Sequence, residues 1–171
     1  DAVTRIPMVW RLSRASDPAR SGVEPGRVEE TLIESVDVST TLCDLCGVAQ
    51  MSTSDGRSHA PLLAGVASRP ASAGRGPGAS AGERIAVTEA PWSKSVTDGC
   101  YRLVYYPADM FPVEYPDGFG ELYDLDQDPW EMSNLYFRPE YANVVRRLRD
   151  ALLEHLVTTQ RPITVLPGFR E

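Results

Sequence analysis

The sequence predicts a mixed α/β chain whose second half is a small α+β unit, an antiparallel sheet packed by a C-terminal helix. Three observations carry this. Residues 139–158 hold an apolar stripe at helical spacing. Three short segments rich in β-branched and aromatic residues, 85–89, 101–106 and 121–125, precede it. Residues 64–82, nearly all Ala, Ser, Gly, Pro and Arg, separate that unit from an N-terminal half with its own apolar segments.

In chain order, Ile6-Pro7-Met8-Val9-Trp10-Arg11-Leu12 reads as a buried strand, with Pro7 at its start, where a missing N–H is tolerated. Residues 13–28, rich in Ser, Pro, Gly and Arg, read as an exposed loop. Residues 29–35 read as a short strand leading into a helix. Over 37–48, Val38, Leu42, Leu45 and Cys46 recur at helical spacing. Gly47 is the expected stop of that helix, and Asp37 or Ser39 its cap. Asp55-Gly56-Arg57-Ser58 is a turn before Ala60-Pro61-Leu62-Leu63. The 64–82 stretch cannot bury enough apolar area to offset its ordering entropy, so it reads as a mobile insertion. The expected division is 1–63, 64–82 and 83–171.

In the second half, Asp98-Gly99 is a hairpin-type turn just before the strand at 101–106. Pro107 and Pro112 end that strand. Asp126, Asp128 and Pro129 stop the strand at 121–125, because Asp competes for backbone hydrogen bonds and Pro cannot donate one. Pro139 suits a first helical position, and Glu140 the positive end of the helix. Tyr141, Val144, Val145, Leu148, Leu152 and Leu156 form one stripe. Burying six such side chains contributes on the order of 10 kcal/mol of transfer free energy. That gain offsets the ordering of the helix only if a sheet covers the stripe.

The chain has 171 residues, 42% hydrophobic and 24% charged, ordinary for a soluble globular protein. Its net charge of −7 argues against a nucleic-acid partner, which needs clustered Lys and Arg. No apolar run reaches the length of a bilayer span. The opening Asp1-Ala2-Val3-Thr4-Arg5 is no signal peptide and lacks Met, so the chain is expected to begin partway through something. Localisation is left open, between cytoplasm and export. Cys43, Cys46 and Cys100 are an odd number of cysteines and suggest no disulfide framework. Cys43 and Cys46 form a C-x-x-C without a second ligand pair, so both read as buried core thiols rather than a zinc site.

The stretch Gly120-Glu121-Leu122-Tyr123-Asp124-Leu125-Asp126-Gln127-Asp128-Pro129-Trp130-Glu131-Met132-Ser133-Asn134-Leu135 resembles the "ELYDLxxDPxExxNL" signature near the C-terminus of type I sulfatases. Other segments resemble that family in the right order. They are Thr4-Arg5-Ile6-Pro7-Met8-Val9, Ser35-Val36-Asp37-Val38-Ser39-Thr40-Thr41-Leu42-Cys43-Asp44-Leu45-Cys46-Gly47, and Asp55-Gly56-Arg57-Ser58 with Pro61-Leu62-Leu63. Tyr101-Arg102-Leu103-Val104-Tyr105 and the helix at 139–156 complete the set. Thr40 departs from the family's Pro, and Arg138 from its usual Asp. The resemblance implies a C-terminal fragment: residues 1–63 as the end of the large sulfatase sheet domain, and 83–171 as the small subdomain.

The resemblance also implies the chemistry of a full-length relative. A formylglycine made from Cys or Ser in C/S-x-P-x-R attacks a sulfate ester. A divalent cation, calcium in most members, neutralises the charge through carboxylate and amide ligands. The substrate is a sulfated small molecule or glycan. These groups precede the "RVPLIV"-type strand in the family, so no catalytic, cofactor or metal residue is expected in this chain, and the chain alone is expected to be inactive. Ser16-Asp17-Pro18-Ala19-Arg20 fits S-x-P-x-R, but it follows the Ile6 strand and lacks the Leu-x-Thr-Gly continuation, which marks an accidental match. His59 and His155 read as solvated surface histidines. Asp124, Asp126 and Asp128 read as a solvated turn, since the Gly and distal Glu of a calcium loop are missing. Trp92 and Trp130 read as packing residues. Lys94 is a candidate for a substrate mouth, a role that nothing in the sequence establishes. The alternatives are a non-catalytic binding module, or the tail of a related phosphodiesterase or phosphonate monoester hydrolase.

Overall fold

The computed structural model describes residues 6–11, 26, 28–29, 31–50, 54–63, 84–116 and 118–159. Its centre is a four-stranded antiparallel sheet in sequential order: β1 (Ala86–Glu89), β2 (Lys94–Thr97), β3 (Tyr101–Tyr105) and β4 (Gly120–Asp124). Before it lie helix α1 (Ser35–Cys46) and the single turn α2 (Ala60–Leu63). After it, a 3₁₀ turn at Pro139–Tyr141 leads into α3 (Ala142–Thr159).

Register explains the core. Val96 pairs with Leu103, and Leu103 with Leu122, so three apolar side chains cross the sheet in one row. All three are essentially inaccessible, as are Val144 and Leu148 of α3. Leu152, Tyr101 and Leu135 complete the buried cluster, with Tyr141, Val145 and Leu156 packed at its margin. The helical stripe read from the sequence therefore does cover the sheet.

The β2–β3 turn is built by side chains. Asp98 accepts the N–H groups of Cys100 and Tyr101 at 2.9 and 2.8 Å, and Gly99 takes φ +91°, a conformation that costs Gly nothing. Arg147 donates to the other Asp98 oxygen at 2.7 Å, which fastens α3 to the hairpin.

The sulfatase-type signature is a sheet terminus. Alternate residues Gly120, Leu122 and Asp124 face inward. Asp124 accepts the N–H groups of Asp126 and Gln127, which ends the strand. Asn134 then accepts from Leu122 N–H and donates to Gly120 C=O, while Leu135 N–H donates to Leu122 C=O. The segment 134–135 thus seals the β4 edge, which would otherwise present unpaired backbone groups.

Several expectations are corrected. Residues 6–11 form no strand; Ile6 and Val9 are 74% and 89% exposed. A strand needs a neighbour to satisfy its backbone, and the described sheet supplies none there. Residues 31–34 are likewise irregular. Helix α1 starts at Ser35, two residues before Asp37. Asp37 is no cap: it reaches back to accept the Glu34 N–H at 2.8 Å. Gly47 does end the helix, at φ 65°. Strand β2 escaped the sequence reading because Lys94, Ser95 and Thr97 leave Val96 as its sole apolar residue. The 64–82 stretch lies outside the described residues, as does nearly all of the 13–28 loop.

Candidate functional site

The densest polar constellation lies where α1, the 54–59 loop and the entry to β1 meet. Asp37 is 1% exposed, yet its carboxylate is fully engaged. It accepts the Arg57 N–H at 2.7 Å and the Glu34 N–H at 2.8 Å, faces His59 Nε2 at 3.3 Å, and takes a hydrogen bond from the Arg84 guanidinium. Arg84 also meets His59 Nε2 at 2.5 Å. One ring nitrogen cannot both accept from Arg84 and donate to Asp37. The tautomer therefore decides which of the two partners Nε2 bonds.

The supports of this cluster come from both halves of the chain. Thr41 donates to Asp37 C=O at 2.7 Å and accepts the His59 N–H at 3.0 Å. Thr40 bonds Ser54 at 2.8 Å. Glu34 accepts the Val87 N–H of β1 at 2.9 Å and lies 3.8 Å from Arg84. Gly56 is required here: a Cβ would run into the Val36 carbonyl. Burial alone pushes the Asp37 carboxyl up. The Arg57 and Glu34 amides, the Arg84 charge and His59 outweigh it, and the net direction is down.

Chemically this is a clamp. The imidazole of His59 is buried between a carboxylate and a guanidinium, 7% exposed for the residue as a whole, and its ring partners are charged groups rather than a hydroxyl or thiol to activate. His59 is therefore not the solvated surface histidine expected from sequence. The signal that marked the site was there: Asp37 and the Asp55-Gly56-Arg57-Ser58 turn were both singled out, but nothing local linked them to Arg84.

The other singled-out residues do not converge. His155 sits on α3, half-buried. Asp124 is 6% exposed and caps the end of β4, so the acidic turn is not simply solvated, while Asp126 is exposed. Lys94 pairs with Glu89 at 2.7 Å. Trp92 and Trp130 are 72% and 85% exposed rather than packed. Cys46 is exposed and Cys43 half-exposed, which overturns the core-thiol reading. Ser16 lies outside the described residues. A second ion pair, Arg102 to Glu131 at 2.6 Å, braces the signature loop, where Glu131 takes φ 57°. Burial, helped by Asp124, pushes the Tyr101 phenol up to about 12.

No family model matches the chain. It is 29% identical over 165 residues to the Delta 4,5-hexuronate-2-O-sulfatase of Bacteroides thetaiotaomicron, an alignment covering 94% of this chain. A solved 2-O GAG sulfatase superposes with a TM-score of 0.56 at 24% identity, covering 81% of this chain and 28% of its own. The phosphonate monoester hydrolase of Silicibacter pomeroyi does so at 0.58 and 23% identity, again over 81% and 28%.

The chain is similar to part of a sulfatase.

It spans about 30% of the length of the curated relative. The two solved structures show the shared fold. Among the described residues, no group of three or more His, Cys, Asp or Glu side chains is placed to hold a metal ion. Asp37, the most buried carboxylate, is already saturated by N–H donors. No described helix is long and apolar enough to cross a membrane.

Proposed function

We infer that this chain is the C-terminal portion of a sulfuric ester hydrolase, and that it builds the scaffold rather than the reacting centre. The observation that carries this is the alignment to a hexuronate sulfatase along nearly the whole chain, together with a buried clamp and a sealed sheet that are fully used in holding structure. In this reading the formylglycine and its divalent cation belong to a part of the enzyme outside this chain. The substrate of the complete enzyme is a sulfated sugar, supported by the name of the curated relative. The chain alone does not turn over.

The test is an aryl-sulfate assay of the 171 residues with added calcium. The reading predicts no release above buffer. Release that disappears in Ser16→Ala would place a nucleophile in this chain and overturn it. One observation favours a second reading, the tail of a phosphonate monoester hydrolase: that fold superposes as well as the sulfatase does. Joined to a complete catalytic portion, preference for a phosphonate monoester over a sulfate ester would select it.

A further inference from the structure

The connection between β3 and β4 folds into a knob. Met110 N–H donates to Pro107 C=O at 3.1 Å, Tyr115 N–H to Phe111 C=O at 2.9 Å, and Gly118 N–H to Tyr115 C=O at 3.0 Å, which gives successive turns. Phe119 lies at the centre, with the rings of Phe111, Tyr106, Tyr115 and Phe137 around it at centroid separations of 4.7–6.2 Å. None of these rings belongs to the buried cluster under α3. The outer ones stay open to solvent: Phe111 is 36% exposed, Tyr115 39% and Phe137 54%. Contiguous exposed aromatic rings mark a recognition surface.

The charge around the knob is of one sign. Over residues 103–137 the chain carries eight Asp or Glu and neither Lys nor Arg, while the rest of the chain is close to neutral. Asp109 and Glu114 are exposed on the knob itself. The cations that border it face acids of their own: Lys94 pairs with Glu89 at 2.7 Å, and Arg138 lies 4.0 Å from Glu140.

We propose that this knob is a docking face for a basic, arginine-bearing segment of a separate protein. Charge complementarity chooses the occupant. A guanidinium stacks on aromatic faces and pairs with carboxylates, and Phe111, Tyr115 and Phe137 beside Asp109 and Glu114 offer both. A second copy of the chain brings the same negative charge to the face, and a sulfated sugar is an anion, so both are repelled. The knob is therefore no substrate subsite, and the proposal stands apart from the sulfatase reading.

The test is fluorescence anisotropy of a labelled peptide of alternating Arg and Gly, titrated with the full 171-residue chain at about 0.15 M salt. The proposal expects saturable binding that weakens by about fivefold or more in Tyr115→Ala and in Phe137→Ala. The pair Asp109→Asn with Glu114→Gln, which leaves the ring packing in place, is expected to weaken it as much. Removing the same charge elsewhere, in Asp44→Asn with Asp150→Asn, is expected to change affinity by less than about twofold. A remote pair that weakens binding as much as the knob pair means that net charge alone attracts the peptide, and overturns the proposal. Absence of saturable binding overturns it too, as do folded ring variants that bind like the parent; where a ring variant does not fold, the carboxylate pair decides. Peptide binding that is lost once the chain is grafted onto the hexuronate sulfatase, in place of that enzyme's matched region, overturns it in favour of the enzyme's own body as occupant. A free chain that sediments as a dimer, and that Tyr115→Ala returns to a monomer, overturns it in favour of self-association.

Discussion

Arg84 donates a hydrogen bond to the buried carboxylate of Asp37 across 47 residues of sequence, and this pair ties the first helix to the strand that opens the sheet. Residues 64–83 between them lie outside the described residues. The clamp joins described residues on either side of them.

Asp37→Asn is expected to destabilise the chain by about 3 kcal/mol, the low end for breaking a buried pair, because Arg84 keeps some solvent. The amide cannot accept every hydrogen bond that the carboxylate takes, and it leaves the guanidinium uncompensated. Urea denaturation followed by tryptophan fluorescence or circular dichroism reads the shift in midpoint. Arg84→Ala is expected to cost a comparable amount and to add little in the double variant, since the two residues act as one unit. Full additivity would separate them.

The same clamp makes the fold acid-sensitive. The folded Asp37 carboxyl lies below its unfolded value of about 3.9, so its contribution is complete above that pH and fades as pH falls through the folded value. Stability is therefore expected to drop below about pH 4, and Asp37→Asn to flatten that part of the profile. At the alkaline end the sign reverses. Tyr101 is held up at about 12 against about 10 unfolded, so its contribution is intact below pH 10 and declines as pH rises toward 12. A shallower alkaline slope in the Tyr101→Phe profile is the check, since Tyr106 and Tyr123 are also held up.

Much of the C-terminal unit was legible because its signals are local. The stripe from Tyr141 to Leu156 fixed α3, and the Asp98-Gly99 and Asp126-to-Pro129 breaks fixed the ends of β3 and β4. Strand β2 was not legible, since only Val96 is apolar there and its place is set by pairing with Leu103. The helix expected over 37–48 lies at 35–46, and the face it buries was not legible. Periodicity reports which side is apolar; it does not report that a buried Asp37, satisfied from three other segments, turns the polar side inward. His59 was misread for the same reason, because Arg84 is 25 residues away.

Packing sets two further expectations. Leu148→Ala removes a side chain with no exposed surface from the helix–sheet seam and is expected to cost 2–5 kcal/mol, read as a lower midpoint with an unchanged slope. Trp130→Ala removes a largely exposed ring and is expected to stay within about 0.5 kcal/mol of the parent. A large loss at Trp130 would mean that its ring is buried in solution.

Gly56→Ala and Gly120→Ala probe close approaches. A Cβ at Gly56 meets backbone of α1, which cannot swing aside; at Gly120 it meets the Tyr136 ring, which can shift somewhat. Both are expected to destabilise by about 1–3 kcal/mol, Gly56 the more. Thermal melts of the two variants side by side test the order.

Sulfate release by the hexuronate sulfatase carrying this chain in place of its own C-terminal region is the most direct measurement of all. The account predicts turnover of a 2-O-sulfated hexuronate above background in the graft, none in the chain by itself, and a loss of turnover in the Asp37→Asn graft in step with its lost stability. A graft that folds cooperatively and yet releases no sulfate would contradict it.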